Sequence, residues 1–356
     1  MNLEYLGYSD KIKNLELEQD LDNLELGRVI SEHKERYIVK TINGEFDAEI
    51  TGNMRFSAKN REDFPAVGDW VALKTYDGNF SIIYHILPRF STIKRQAVGK
   101  HGEVQIIASN VDYAFLVQAA DRDFSINRLE RYLTICNSCK VEPIIALTKT
   151  DLIGELKITE IVNQIKSRLN NLTIVAISNE TKDGYSKIDA LIEKGKTYCM
   201  LGSSGVGKST LLNNLSGESL MKTGSISEGI NRGKHITSHR ELIILKNGGI
   251  LIDNPGMREV GIADTTEGLE TTFDRIVRQS INCKFTNCTH TSETGCSVLE
   301  SLKNGEIDPA SYENYLKMER EKAYFETTIE EKRKKEKAFG KMVNNYKKDI
   351  NRKMNF

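Results

Sequence analysis

Between Leu24 and Phe90 the chain alternates short apolar runs with polar, glycine-bearing turns. Gly27–Ile30, Tyr37–Val39, Phe46–Ile50, Asp69–Leu73 and Ser81–Leu87 read as β-strands. Five such strands in about 65 residues predict a small antiparallel barrel. An OB-fold is the leading candidate; strand count alone leaves an SH3-like barrel open. Trp70, the only tryptophan, falls in the fourth run and reads as core. Past Pro88-Arg89 the period changes. Val111–Val117 is nearly all apolar, as in a buried parallel strand. Asn127–Cys139 then sets Leu129, Tyr132, Leu133, Ile135 and Cys136 at helical spacing. Further strands are expected at Pro143–Leu147, Leu172–Ile177, Thr197–Leu201, Leu242–Leu245 and Gly249–Ile252, with helices at Ile158–Leu169 and Ile188–Glu193. This alternation predicts a doubly wound α/β domain on a mostly parallel sheet. From Phe273 onward the sheet pattern stops, and a cysteine-rich loop leads into charged helical sequence. The expected domains are 1–90 (barrel with an N-terminal extension), 91–272 (α/β) and 273–356 (cysteine loop with basic helices).

Composition narrows the class. A chain of 356 residues with 39% hydrophobic and 28% charged side chains has the profile of a globular protein. It lacks the run of about 18 apolar residues that a membrane span needs. Met1–Asp10 has no basic segment leading into an apolar one, so no secretory signal is expected. The reading is therefore a cytoplasmic monomer with no membrane partner. Net charge is zero, but unevenly spread. Residues 332–356 hold ten Lys and Arg against two acidic residues, a net +8, which leaves −8 on the preceding 331. Such a tail suits phosphate, and binding through it should weaken steeply with salt.

Gly202-Ser203-Ser204-Gly205-Val206-Gly207-Lys208-Ser209-Thr210 fits the pattern G-x-x-x-x-G-K-[ST] between a predicted strand and a helix. Glycines let backbone N–H groups surround anionic oxygens, and the helix N-terminus adds its dipole. Lys208 is expected on the β- and γ-phosphates and the Ser209 hydroxyl on Mg²⁺. Asp253-Asn254-Pro255-Gly256 ends a strand about 45 residues later and reads as a nucleotide switch. There Asp253 reaches Mg²⁺ through water and the Gly256 N–H senses the γ-phosphate.

Thr148-Lys149-Thr150-Asp151 follows the strand Pro143–Leu147 and is similar to the guanine motif N-K-x-D, with Thr148 in place of asparagine. The Asp151 carboxylate would accept from guanine N1–H and N2–H₂, donors that adenine does not offer there. Lys149 would lie along the base. Ser178 occupies the second base loop and is followed by Asn179. The base motifs thus precede the phosphate loop and Asp253 comes last, the order of a circularly permuted GTPase. Arg232–Arg240 lies where switch I belongs. Thr237 is the expected switch ligand of Mg²⁺, with Ser238 beside it, and His235 or His239 would position water. Met257 stands where a water-orienting glutamine sits in Ras-like enzymes, and a thioether cannot take that role.

Cys283, Cys288, His290 and Cys296 lie within 14 residues and offer four ligands to one Zn²⁺. With no open position such a site is structural. Cys136, Cys139 and Cys199 fall on apolar elements and read as core.

Together these motifs resemble the RsgA family of small ribosomal subunit biogenesis GTPases, over about residues 24–350. The resemblance implies an N-terminal OB-fold, a circularly permuted P-loop GTPase domain and a C-terminal zinc-binding domain. It implies GTP hydrolysis to GDP, binding to the 30S subunit and 16S rRNA, stimulation by that subunit, and a catalytic histidine at His235. Ile236 stands where the family usually has a first threonine, and Asn179 where it usually has alanine. Two other readings compete. One is an RNA-binding module whose nucleotide site is only a latch; the other is an ATPase or small-molecule kinase, which Asp151 disfavours.

Overall fold

A computed structural model describes residues 2–19, 21, 23–33, 36–96, 104–121, 123–169, 171–217, 240–253 and 266–323, with the single positions 331, 334, 337 and 339. The N-terminal extension forms a short 3₁₀ turn and helix α1 (Asp10–Leu17). The barrel strands are β1 (Glu25–His33), β2 (Arg36–Lys40), β3 (Glu45–Ile50), β4 (Trp70–Tyr76) and β5 (Phe80–Ile86), with helix α2 (Gly52–Ser57) between β3 and β4. β1 pairs antiparallel with both β2 and β4, β2 with β3, and β4 with β5; β3 and β5 run parallel. The order β1-β2-β3-β5-β4, closed by β4 on β1, is that of an OB-fold, and it settles the choice that strand count left open. Val29, Tyr37, Val39, Ala48, Ile50, Val71, Leu73 and Ile83 fill the interior. Trp70 is core, as expected. It packs with Leu6 and Ile12 of the extension and with Leu26, Ala72 and Leu87, and the Tyr8 ring meets it edge-on.

A hairpin that the hydrophobic pattern did not predict follows: β6 (Thr92–Gln96) on β7 (Val104–Ser109). The α/β region continues as β8 (Tyr113–Ala119), α3 (Ile126–Cys139), β9 (Glu142–Thr148), α4 (Glu155–Arg168), β10 (Thr173–Ala176), α5 (Tyr185–Leu191), β11 (Thr197–Leu201), α6 (Lys208–Ser216), β12 (Arg240–Ile244) and β13 (Ile250–Asp253). Strands β10, β9, β8, β11 and β13 are parallel neighbours in that order, and β12 caps the set antiparallel. Buried aliphatic side chains line both faces, as a doubly wound sheet requires.

The barrel and this sheet are hydrogen-bonded as one surface. The far end of β1 pairs with β12, Ser31 opposite Glu241 and Glu32 opposite Arg240. A fully buried arginine pins the same junction. Arg28 donates to the carbonyls of Leu6 (Nη1), Gly68 (Nε, 3.2 Å) and Asn110 (Nη2, 3.2 Å) and to Thr197 Oγ1 (Nη2, 2.9 Å). It therefore ties extension, barrel and α/β sheet together. Burial lowers its guanidinium to about 10, which leaves it charged at neutral pH.

Helices α7 (Thr266–Thr272), α8 (Asp274–Ser280) and α9 (Ser297–Lys303) and a helical stretch over 309–323 form the C-terminal part. Leu269, Phe273, Ile276, Cys296, Val298, Ile307 and Met318 make its core. It docks on α3. Glu130 of α3, 1% exposed, accepts from Arg168, Ser311 and Asn314. Arg131 forms a bidentate pair with Glu321. Gly268 of α7 lies so close to α3 that an added Cβ would stand 2.2 Å from the Thr134 carbonyl.

Candidate functional site

The parallel strands β8, β9, β10, β11 and β13 all end at the same edge of the sheet, where doubly wound folds bind ligands. The loop after β11 is the phosphate-loop candidate, and α6 opens at Lys208. Gly205 and Gly207 adopt φ +79° and +92°, conformations that side-chain-bearing residues rarely take. A Cβ on Gly202 would lie 2.5 Å from the Val117 carbonyl of β8. Lys208 Nζ donates to the carbonyls of Gly202 (2.7 Å) and Ser203 (2.5 Å), so its ammonium sits against the loop that it would serve. Ser209 and Thr210 follow in the first turn of α6 and are half-buried; Ser204 and Gly205 are exposed and Val206 is buried.

The base-loop candidates stand beside it. Thr148, at the end of β9, is fully buried and its hydroxyl donates 2.5 Å to the Val206 carbonyl. A hydroxyl thus reaches the phosphate-loop candidate at the position where the similar motif has an amide. Lys149 adopts φ +58°, and its ammonium pairs with Asp121 at 3.2 Å. Asp151 is exposed, and its Oδ1 accepts 2.6 Å from the Ser178 hydroxyl. The same Ser178 oxygen receives the backbone N–H groups of Glu180 and Thr181. Ser178 therefore orients the carboxylate that sequence reasoning assigned to guanine. Asp253 ends β13, beside β11, which places it at the same edge of the sheet as the phosphate loop. Ser209 and Asp253 carry oxygen side chains, the donor type that Mg²⁺ takes.

Sequence reasoning missed two contacts. Asn179, noted only as a departure from alanine, donates 3.1 Å to the Gly207 carbonyl. Arg128 of α3 donates 3.0 Å to Ser203 Oγ and pairs with Asp123, so the helix that carries the C-terminal part also touches the phosphate loop. No residue-level pattern marks Arg128, because a helical arginine ordinarily reads as solvated surface. The expected His235, Thr237, Ser238, His239, Gly256 and Met257 lie outside the described residues, as does most of the basic tail after Lys332.

The second centre is the cysteine cluster. One ligand atom each from Cys283, Cys288, His290 and Cys296 lie within 4.8 Å of one another. Cys283 Sγ is 3.8 Å from Cys296 Sγ, and His290 Nδ1 is 3.6 and 3.5 Å from these two sulfurs. A tetrahedron with Zn–S of about 2.3 Å and Zn–N of about 2.0 Å has edges of about 3.8 and 3.5 Å. The spacing thus fits a closed tetrahedral metal site. Burial would raise the Cys283 thiol, but backbone N–H groups of Val298 and Ser297, together with hydrogen bonds to Cys296 and Cys288, hold it below its ordinary value. Burial holds His290 below its ordinary value too, which favours the neutral imidazole that a metal needs. The His290 backbone is left-handed at φ +60°, and its carbonyl accepts from the Tyr312 hydroxyl, which ties the cluster to the helix over 309–323.

Comparison with known proteins places the chain among GTPases. The family profile described as RsgA GTPase matches residues 86–263. Small ribosomal subunit biogenesis GTPase RsgA 1 of Bacteroides thetaiotaomicron is 38% identical over 357 residues, covering 100% of this chain and 98% of that protein. The protein of the same name from Oceanobacillus iheyensis is 42% identical over 303 residues, covering 85% and 86%. Among solved structures, YloQ, described as a circularly permuted GTPase, superimposes with a TM-score of 0.59 at 25% identity, covering 88% of this chain and 98% of that one. On these matches the chain belongs to the RsgA GTPase family.

Proposed function

We propose that this protein binds GTP at the C-terminal edge of its parallel sheet, hydrolyses it to GDP and phosphate, and uses that cycle in assembly of the small ribosomal subunit. The observation that carries the reading is the hydrogen bonding of the Thr148–Asp151 loop and the Ser178 loop to each other and to the phosphate loop. In this reading Asp151 accepts from guanine N1–H and N2–H₂, Lys149 lies along the base, and residues 202–210 cradle the phosphates. Lys208 offsets charge on the β- and γ-phosphates. Ser209 and Thr237 would hold Mg²⁺ directly and Asp253 through water, and the ion would supply charge neutralisation at the phosphate oxygens. His235 orients the attacking water, since Met257 cannot. The relatives' names support a role in small-subunit biogenesis, and the basic tail supports contact with rRNA. Zn²⁺ on Cys283, Cys288, His290 and Cys296 is structural and stabilises the helices around it. Hydrolysis reaches those helices by two routes: along the chain after Asp253, and through α3, which touches both Ser203 and Glu321.

The test is the GTP hydrolysis rate titrated with purified small subunits at fixed salt. Saturable stimulation is expected. A rate that the subunits leave unchanged favours the alternative, an RNA-binding module with a nucleotide latch.

A further inference from the structure

Two adjacent carbonyls of the phosphate loop are held by the two base loops, one each. Thr148 Oγ1 takes Val206 O, and Asn179 Nδ2 takes Gly207 O. The Asn179 amide cannot turn around. Its Oδ1 accepts 2.7 Å from the Tyr185 hydroxyl, and that hydroxyl in turn accepts 2.6 Å from Asn214 Nδ2 of α6. Asn214 Nδ2 also lies 3.3 Å from the Asn179 carbonyl. With its oxygen committed to Tyr185, Asn179 has only its NH₂ to present to Gly207. Burial raises the Tyr185 hydroxyl to about 12, which keeps it a donor. Asn179 is 9% exposed, and a Cβ on Gly207 would stand 2.5 Å from Nδ2, so the two positions are sterically matched.

Peptide planarity gives this clamp a consequence. In a trans peptide the C=O and the following N–H point in opposite directions, and no described peptide is cis. Holding Val206 O and Gly207 O toward the base loops therefore aims the N–H groups of Gly207 and Lys208 the other way. We infer that Asn179, braced by Tyr185 and Asn214, is a positioning residue that couples the base loop to the phosphate loop by fixing the N–H groups that receive phosphate. The inference rests on the guanine-nucleotide reading above. It makes affinity for the phosphates depend on a side chain that belongs to the base loop.

The experiment measures dissociation of a fluorescent GDP analogue, and the affinities of GDP and guanosine by competition, for three proteins. These are the unaltered chain, Asn179→Leu (similar size, no hydrogen bond) and Tyr185→Phe (hydroxyl alone removed). Loss of one buried hydrogen bond predicts GDP dissociation faster by about 10-fold in the first variant and about 3-fold in the second. The ratio of guanosine to GDP dissociation constants should fall by the same factors. Equal weakening of both ligands is loosening of the fold, and it overturns the coupling role; so does unchanged GDP dissociation. Tyr185→Phe carries the test if Asn179→Leu does not fold. An unaltered protein that binds no GDP overturns the nucleotide reading itself, whereas one that binds while both variants behave normally overturns this inference alone.

Discussion

The Ser178 hydroxyl donates 2.6 Å to Asp151 Oδ1, joining two loops 27 residues apart into one acceptor site. The bond leaves Asp151 Oδ2 and the second lone pair of Oδ1 for a ligand, and it fixes the plane of the carboxylate. Asp151→Asn replaces one acceptor oxygen with a donor. GTP affinity should fall about 100-fold, and xanthine nucleotides, whose C2 oxygen accepts, should bind better than to the unaltered protein. Competition binding with GTP and xanthosine triphosphate reads both. Unchanged GTP affinity contradicts the assignment.

Arg28 is the pin between the extension, the barrel and the sheet. Arg28→Met keeps much of the volume but leaves the carbonyls of Leu6, Gly68 and Asn110 and the Thr197 hydroxyl without this donor. The expected loss is about 3 kcal/mol of stability, measured by denaturant titration. A loss below about 1 kcal/mol would mean that water or neighbouring donors replace the guanidinium.

Gly268 lets α7 lie directly on α3, with the Thr134 carbonyl and Ser138 Oγ where a side chain would begin. One of these obstacles is backbone, so Gly268→Val must push the helices apart, at about 1–3 kcal/mol. Hydrogen exchange should then speed up in α7 and over 309–323, with β1–β5 unchanged. Acceleration spread evenly over the chain would argue against a local docking contact.

Removal of the metal should act locally as well. Cys283, Cys288 and Cys296 pack into a core shared by α7, α8 and α9, and the His290 ligand atom lies within 4.8 Å of theirs. Structural zinc sites supply about 10–16 kcal/mol of apparent binding energy to the fold around them. A strong chelator, or Cys288→Ser, should abolish stoichiometric zinc and expose α8 and α9 to exchange, while nucleotide affinity changes less than about 3-fold. Full retention of protection in α8 and α9 without metal would make the site non-structural.

Much of this molecule was legible in its sequence because period and punctuation are local signals. The barrel strands declare themselves through short apolar runs between glycine turns, and Gly205 and Gly207 mark positive-φ positions that few other residues adopt. The cysteine spacing announces a closed ligand set. What escaped has no local signature. The hairpin β6–β7 begins with Thr92-Ile93-Lys94-Arg95-Gln96, too polar to read as a strand. Pairing of Ser31 with Glu241 is made by backbone alone. A buried arginine such as Arg28 looks like surface until four acceptors from distant segments surround it. Leu6 and Ile12 cover the outer face of β1 and β4, around Trp70, from a stretch too short to show periodicity. Asn179 illustrates the opposite case, since a residue noted as a departure from a family pattern turns out to hold the phosphate loop.

The central claim is that Asp151, Lys208 and Asp253, brought to one sheet edge by permuted segments, bind a single GTP. A crystal structure with a non-hydrolysable GTP analogue and Mg²⁺ tests it most directly. The account predicts the Asp151 carboxylate on guanine N1–H and N2–H₂, Lys208 Nζ on the β- and γ-phosphates, and Asp253 at the magnesium shell. A nucleotide bound elsewhere, or bound here with its base away from Asp151, would contradict it.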